Sequence, residues 1–133
     1  MRYLLGFLLL AGAALAANEL VVNNSVNYNK NGAQIQQSKQ ASITITGNTY
    51  CDQIWNVPTN ETQVVLCSGL TTPGVTYLQN LDASNVVTYG TTSGDYGLKL
   101  KGGEWALVRM ASTNLYLKAS TTNVLTRVLI FPE

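Results

Sequence analysis

The residue types that most often carry catalysis or bind metals are scarce in this chain of 133 residues. It has no histidine at all, which removes the commonest general base, the commonest metal ligand and the usual serine or cysteine triad. Cys51 and Cys67 without histidine make a poor zinc site. No glycine-rich phosphate loop of the P-loop or dinucleotide type is present. Ser68-Gly69 is not a nucleophile elbow, because that motif needs glycine two residues before the serine and Leu66 stands there. Carboxylates remain, since glycoside hydrolysis needs only two, and Asp52, Glu61, Asp82, Asp95 and Glu104 are available. Each also has a simpler reading: Asp82 and Asp95 lie among Asn, Ser and Gly, where such side chains cap turns, and Glu104 follows Gly102-Gly103 at a strand entry. The reading is therefore of a protein without catalytic residues, cofactor or metal.

Other residues could bind rather than react. Tyr50, Trp55, Tyr77, Tyr89, Tyr96, Trp105 and Tyr116 offer stacking surfaces for a sugar, against the alternative that they pack in a core, as expected of Trp105 beside Leu107. Asn23-Asn24-Ser25 and Asn60-Glu61-Thr62 match the glycosylation pattern, as chance allows in a chain so rich in Asn and Thr. The two cysteines can close one disulfide worth about 3 kcal/mol by the chain-entropy model, or Cys67 can be an ordinary buried thiol after the apolar run Val64-Val65-Leu66. Lys30, Lys39, Lys99, Lys101, Arg109, Lys118 and Arg127 are scattered rather than gathered in a stripe, and the net charge is +1, which argues against nucleic acid as a partner. Charged residues make up 11% of the chain, less than half the usual figure of about 25%. Such weak charge repulsion suits a multi-subunit setting.

The elements that must position these residues read as strands. Thr, Val, Ile and Tyr dominate, and they favour a pleated, half-buried surface. Ala41 to Thr46 alternates, with Ile43 and Ile45 on one face and Ser42, Thr44 and Thr46 on the other. Gly74 to Gln79 places Val75 and Tyr77 together, and Glu104 to Met110 separates Trp105, Leu107 and Arg109 from Ala106, Val108 and Met110. Turn signals fall at Asn31-Gly32, Gly47-Asn48, Ser68-Gly69, Pro73-Gly74, Ser93-Gly94-Asp95 and Gly102-Gly103. The segment from Asn123 to Phe131 is expected to be a central strand buried on both faces, stopped by Pro132. Asn23 to Gln40 reads as polar, an arm or a weak hairpin. The expected fold is all-β: one antiparallel β-sandwich, jelly-roll-like, over residues 18–133. It is preceded over residues 1–17 by an apolar leader helix. Arg2, the fourteen apolar or small residues from Leu4 to Ala17 and the sequence Ala14-Leu15-Ala16 read as a secretory signal peptide, with a membrane or assembly leader as the other reading; the stretch is shorter than the roughly 20 residues of a spanning helix.

From Val64 onward the motifs acquire a specific order: VVLCSGLTTPGVTYLQNLDASNVVTYG, a Gly-Asp turn, LKLKGGEWALVRM, then LYLKAS and a terminal apolar strand. In this order the chain resembles small virion structural proteins of tailed bacteriophages, head decoration or cement proteins and tail-associated ones. Matching elements lie at Thr71 to Gly74, Asn80 to Asp82, Tyr89-Gly90, Leu100 to Glu104 and Lys118-Ala119. The resemblance covers about seventy residues and implies an all-β subunit in which Thr72, Pro73, Gly74, Asn80, Asp82, Gly90, Gly103 and Glu104 are structural turns. The leader departs from the pattern, because such proteins assemble in the cytoplasm. The function expected is that of a capsid decoration, cement or spike-like subunit. Its partners would be copies of itself and a capsid or tail protein, with membrane contact through residues 4–17 if the leader stays. It would reside in the virion, or be exported if the leader is a true signal. The competing expectation is a secreted or periplasmic carbohydrate-binding module.

Overall fold

The computed structural model describes residues 19–133, and the leader expected over residues 1–17 lies outside them. The described chain is all-β and antiparallel, with no helix among its described residues. It begins with a long hairpin of β1 (Glu19–Lys30) and β2 (Ala33–Thr44). The turn is built by Asn31 and Gly32, both at positive φ (53° and 82°), the type I′ geometry whose twist matches that of the strands it joins.

Eight further strands follow: β3 (Cys51–Val57), β4 (Thr62–Gln63), β5 (Pro73–Asn80), β6 (Val87–Gly90), β7 (Leu98–Leu100), β8 (Trp105–Arg109), β9 (Tyr116–Ala119) and β10 (Val124–Pro132). They form two four-stranded sheets, ordered β3-β10-β5-β8 and β4-β9-β6-β7. Every connection crosses from one sheet to the other except the β6–β7 hairpin, and the pairs β3·β10, β4·β9, β5·β8 and β6·β7 are nested, like one long hairpin rolled up. The inner faces meet over one core. Leu78, Val124, Val128 and Ile130 of the first sheet face a cluster that includes Val87, Leu100, Leu117 and Ala119 of the second, with Val64, Leu70, Met110 and Leu115 closing it from the loops.

The disulfide between Cys51 and Cys67 is formed, with Cα atoms 5.4 Å apart. It ties the start of β3 to the turn at Ser68-Gly69. Two buried threonines, Thr76 and Thr126, have hydroxyls with no hydrogen-bond partner among the described residues.

Three sequence readings are corrected. Pro73-Gly74 is not a turn but the start of β5, where Pro73 sits opposite Pro132 at the end of the ladder, a place where a missing N–H costs little. A Cβ on Gly74 would come within 3.0 Å of the Pro132 carbonyl oxygen and the Glu133 nitrogen, so glycine serves close backbone approach there. The terminal strand is central as expected, but only one of its faces is core: Val124, Thr126, Val128 and Ile130 are buried, whereas Leu125 is exposed and Arg127, Leu129 and Phe131 are partly so. Trp105 is not a core aromatic, being 55% exposed. The smaller side chains of β8, Ala106 and Val108, point to the core against Leu78 and Thr76, leaving Trp105, Leu107 and Arg109 outside.

Candidate interaction surfaces

Four of the eight positions singled out by their order in the second half of the chain, Asn80, Asp82, Gly103 and Glu104, converge on one polar node. Asn80 is fully buried at the end of β5. Its Nδ2 donates to the carbonyl oxygens of Asn85 (2.7 Å) and Leu100 (3.1 Å), and its Oδ1 accepts from the Asp82 amide (3.0 Å). Its backbone nitrogen donates to the Glu104 carbonyl (2.9 Å), and its own carbonyl accepts from the Gly103 amide (3.2 Å). Asp82 in turn accepts from the amides of Ser84 (2.8 Å) and Asn85 (2.7 Å). These bonds, the Asn85 amide first, hold its carboxyl below the usual carboxylate range. Glu104 closes the neighbouring turn by accepting from the Lys101 amide (2.8 Å). Gly103 takes a positive φ of 76° in that turn, and a Cβ on Gly102 would lie 2.4 Å from the Ala83 backbone. Asn80, Asp82, Gly103 and Glu104 thus lock two loops together. Thr72 serves separately, its carbonyl accepting from the Glu133 amide at 3.1 Å, and Gly90 ends β6.

A second polar cluster fastens the loop after β6. Glu61 accepts hydrogen bonds from the Ser93 hydroxyl (2.6 Å), the Gly94 amide (2.7 Å) and the Tyr96 hydroxyl. The Ser93 bond above all, then those of Tyr96 and Gly94, depress its pKa. Desolvation, reinforced by the Glu61 carboxylate, pushes the Tyr96 hydroxyl up to about 12. Lys118 lies 5.9 Å from the centre of the Tyr96 ring, near the outer limit of a cation–π contact. Tyr96 is therefore tied down at its polar end. Of the five carboxylates read from the sequence, those of Asp52, Glu61, Asp82 and Glu104 each hold a structural bond, whereas Asp95 closes the turn at Ser93-Gly94 through its backbone, its amide donating to the Thr92 carbonyl at 3.1 Å. Among the described residues no three Cys, Asp or Glu gather as metal ligands.

The outer face of the β3-β10-β5-β8 sheet is mixed, with apolar side chains set among Asp52, Asn56, Arg127, Gln79 and Arg109. Register puts Ile54, Leu125, Leu129, Tyr77, Trp105 and Leu107 on it, with Ile54 64% exposed. Tyr77 and Trp105 stack with ring centres 5.9 Å apart and planes at 27°. Arg127 spans from β10 to Asp52 of β3 at 2.6 and 2.9 Å. That hydrogen-bonded guanidinium lowers the Asp52 pKa. The other aromatics are less available: Trp55 is partly buried with its Nε1 donating to Gln53 at 3.0 Å, Tyr89 is buried and Tyr116 partly so, while Tyr50 is exposed. A cleft lined by Tyr89, Leu98, Val108, Met110 and Leu115 has a volume of 270 Å³, just under the about 300 Å³ at which small-molecule sites begin.

The hairpin was among the sequence readings of Asn23 to Gln40, but its apolar face was not. Its register places Leu20/Ile43, Val22/Ala41, Asn24/Lys39, Val26/Gln37, Tyr28/Ile35 and Lys30/Ala33 as side-by-side pairs on one face. The opposite face carries Val21, Asn23, Ser25, Asn27 and Asn29 against Ser42, Gln40, Ser38, Gln36 and Gln34. One side is mostly apolar and the other almost wholly amide and hydroxyl. From Asn23 to Ser42 every residue is exposed. The alternation was present in the sequence but hidden by the number of Asn, Gln and Ser residues.

No protein-family model, curated protein or solved structure matches this chain.

Proposed function

We propose that the chain is a virion structural subunit, a capsid decoration, cement or spike-like protein that works by assembly with copies of itself and with a capsid or tail protein. The observation that carries this reading is the set of large apolar side chains exposed together on the outer face of the β3-β10-β5-β8 sheet, Ile54, Leu125 and Trp105, each more than half exposed, because apolar side chains grouped on one exposed face favour a covering partner. The nested order of eight strands in two sheets agrees with a jelly roll, an architecture used in capsid and lectin domains. The order of motifs around the Asn80 node adds the resemblance to tailed-phage virion proteins. In this reading the turn residues are structural, and the leader directs export or touches a membrane during assembly. Proteomics of purified particles with N-terminal peptide coverage tests it. The chain is expected at a fixed copy number per particle, and its absence from particles overturns the reading.

The second reading is a secreted or periplasmic carbohydrate-binding module. It is favoured by the exposed Trp105 stacked on Tyr77, a platform on which a sugar ring could lie. Glycan-array binding lost in Trp105→Ala would support this reading over the first.

A further inference from the structure

We propose that the apolar face of the β1–β2 hairpin docks on the same face of a second copy, the two hairpins running antiparallel about a twofold axis. The inference deepens the assembly reading by naming one of its interfaces, and it rests on that reading only for the existence of a partner copy. A two-stranded hairpin standing alone in water is marginally stable at best, and this one keeps twelve paired residues on each strand with little of its surface covered.

The pattern along the face specifies both the occupant and its direction. In an antiparallel arrangement the small pair Val22/Ala41 meets the large pair Tyr28/Ile35 of the other copy, and the reverse contact follows by symmetry. Large against small is how facing layers interdigitate. The basic side chains Lys30 and Lys39 lie on this face, which bears no acid. Parallel docking would bring each lysine to the same level as its own copy, one strand across. Antiparallel docking instead lays Lys39 over Val26/Gln37 and Lys30 over Leu20/Ile43, where the alkyl stems cover apolar surface and the ammonium groups reach water. Twelve residues at about 3.4 Å each and two strands about 5 Å apart give a face of roughly 40 by 10 Å, or about 400 Å² per copy. The pair then covers about 800 Å², below the roughly 1,200 Å² of stable dimers. The contact is therefore reversible in dilute solution and is reinforced where copies are held together in an array. Among the described residues no strand pairs with either outer edge of the hairpin, and lysines on edge strands discourage edge-to-edge growth.

The test is sedimentation of the oxidised full chain across the micromolar range, with cross-linking to read the register. The average mass is expected to rise with concentration toward twice the monomer's. The double substitution Val26→Asp with Ile35→Asp should hold it at the monomer mass, while Asn27→Asp with Gln36→Asp, on the polar face of neighbouring pairs, should leave dimerisation unchanged. The sandwich of all variants should keep its near-ultraviolet circular dichroism. A bismaleimide spanning the about 10 Å between packed sheets should join copies carrying both Val22→Cys and Tyr28→Cys but not Val22→Cys alone, since two Val22 positions would lie about 20 Å apart along the arms. Monomer mass at every concentration, equal dimerisation of the Asp variants, efficient linking by Val22→Cys alone, or capture of monomers by anionic vesicles in place of dimerisation would each overturn the inference. A monomer found in purified particles would sink the arm contact and leave the assembly reading standing; an arm-linked dimer absent from particles would do the opposite.

Discussion

The sandwich and the hairpin are made from similar residues by the same alternation, yet only one of them completes itself. In the sandwich the alternating apolar positions of two sheets face each other, so Leu78, Leu117 and Val128 are fully buried. In the hairpin the same period-two pattern has no second layer among the described residues, and Val26, Tyr28 and Ile35 are each about half exposed. An amphipathic sheet is half of a core. Among the described residues both halves are present in one region and one half in the other.

The strongest way to break this comparison is to truncate one apolar side chain in each region. Leu117→Ala should cost the sandwich about 2–5 kcal/mol in urea unfolding, whereas Tyr28→Ala should shift the same midpoint by less than about 0.5 kcal/mol. Comparable losses would mean that the arm is part of the folded core. Next in size is the Cys51–Cys67 bond. Its replacement by Cys51→Ser with Cys67→Ser should lower sandwich stability by about 3 kcal/mol while leaving the concentration dependence of dimerisation intact. A smaller change of opposite sign is expected at Thr126, whose buried hydroxyl lacks a partner among the described residues. Thr126→Val removes a desolvated polar group at nearly constant shape and should raise stability by about 1 kcal/mol, read as a higher unfolding midpoint; a fall would reveal a bond to the hydroxyl.

The smallest effect concerns pH. Asp52, Glu61 and Asp82 have pKa values lowered in the folded protein by their hydrogen bonds, so the unfolded chain binds protons more readily than the folded one in the acid range. Their contribution is complete above the ordinary carboxylate values and is lost as pH falls through the lowered ones. Thermal midpoints should therefore drop on acidification, and Glu61→Gln should flatten that drop. An unchanged profile in Glu61→Gln would show that the loop after β6 is not held by this carboxylate.

Much of the sandwich was legible in the sequence because its signals are local. Alternation in Gly74 to Gln79 and Glu104 to Met110 became β5 and β8, and Gly102-Gly103 became a turn with positive φ at Gly103; in the hairpin, too, the Asn31-Gly32 turn was legible. Which face of β8 meets the core was not legible, since both faces carry apolar groups; the choice depends on the strands that Ala106 and Val108 oppose, far away in the chain. Pro73-Gly74 misled for a related reason. Its composition is that of a turn, but its partner Pro132 is a strand end brought in from the C-terminus. The hairpin was read as polar because Asn, Gln and Ser fill one face and Asn24, Lys30 and Lys39 interrupt the other, so the apolar pattern emerges only when the two strands are set in register. The Asn80 node was partly visible: the order of its residues was noticeable, but the burial of the Asn80 amide that binds them together was not.

Hydrogen exchange of the full chain, followed residue by residue at low and high protein concentration, tests most directly whether the arm is half of a shared core. Amides of β5, β9 and β10 should be protected equally at both concentrations, while those paired between β1 and β2 should gain protection as concentration rises. Protection of the hairpin that is independent of concentration and equal to that of the sandwich would contradict the account.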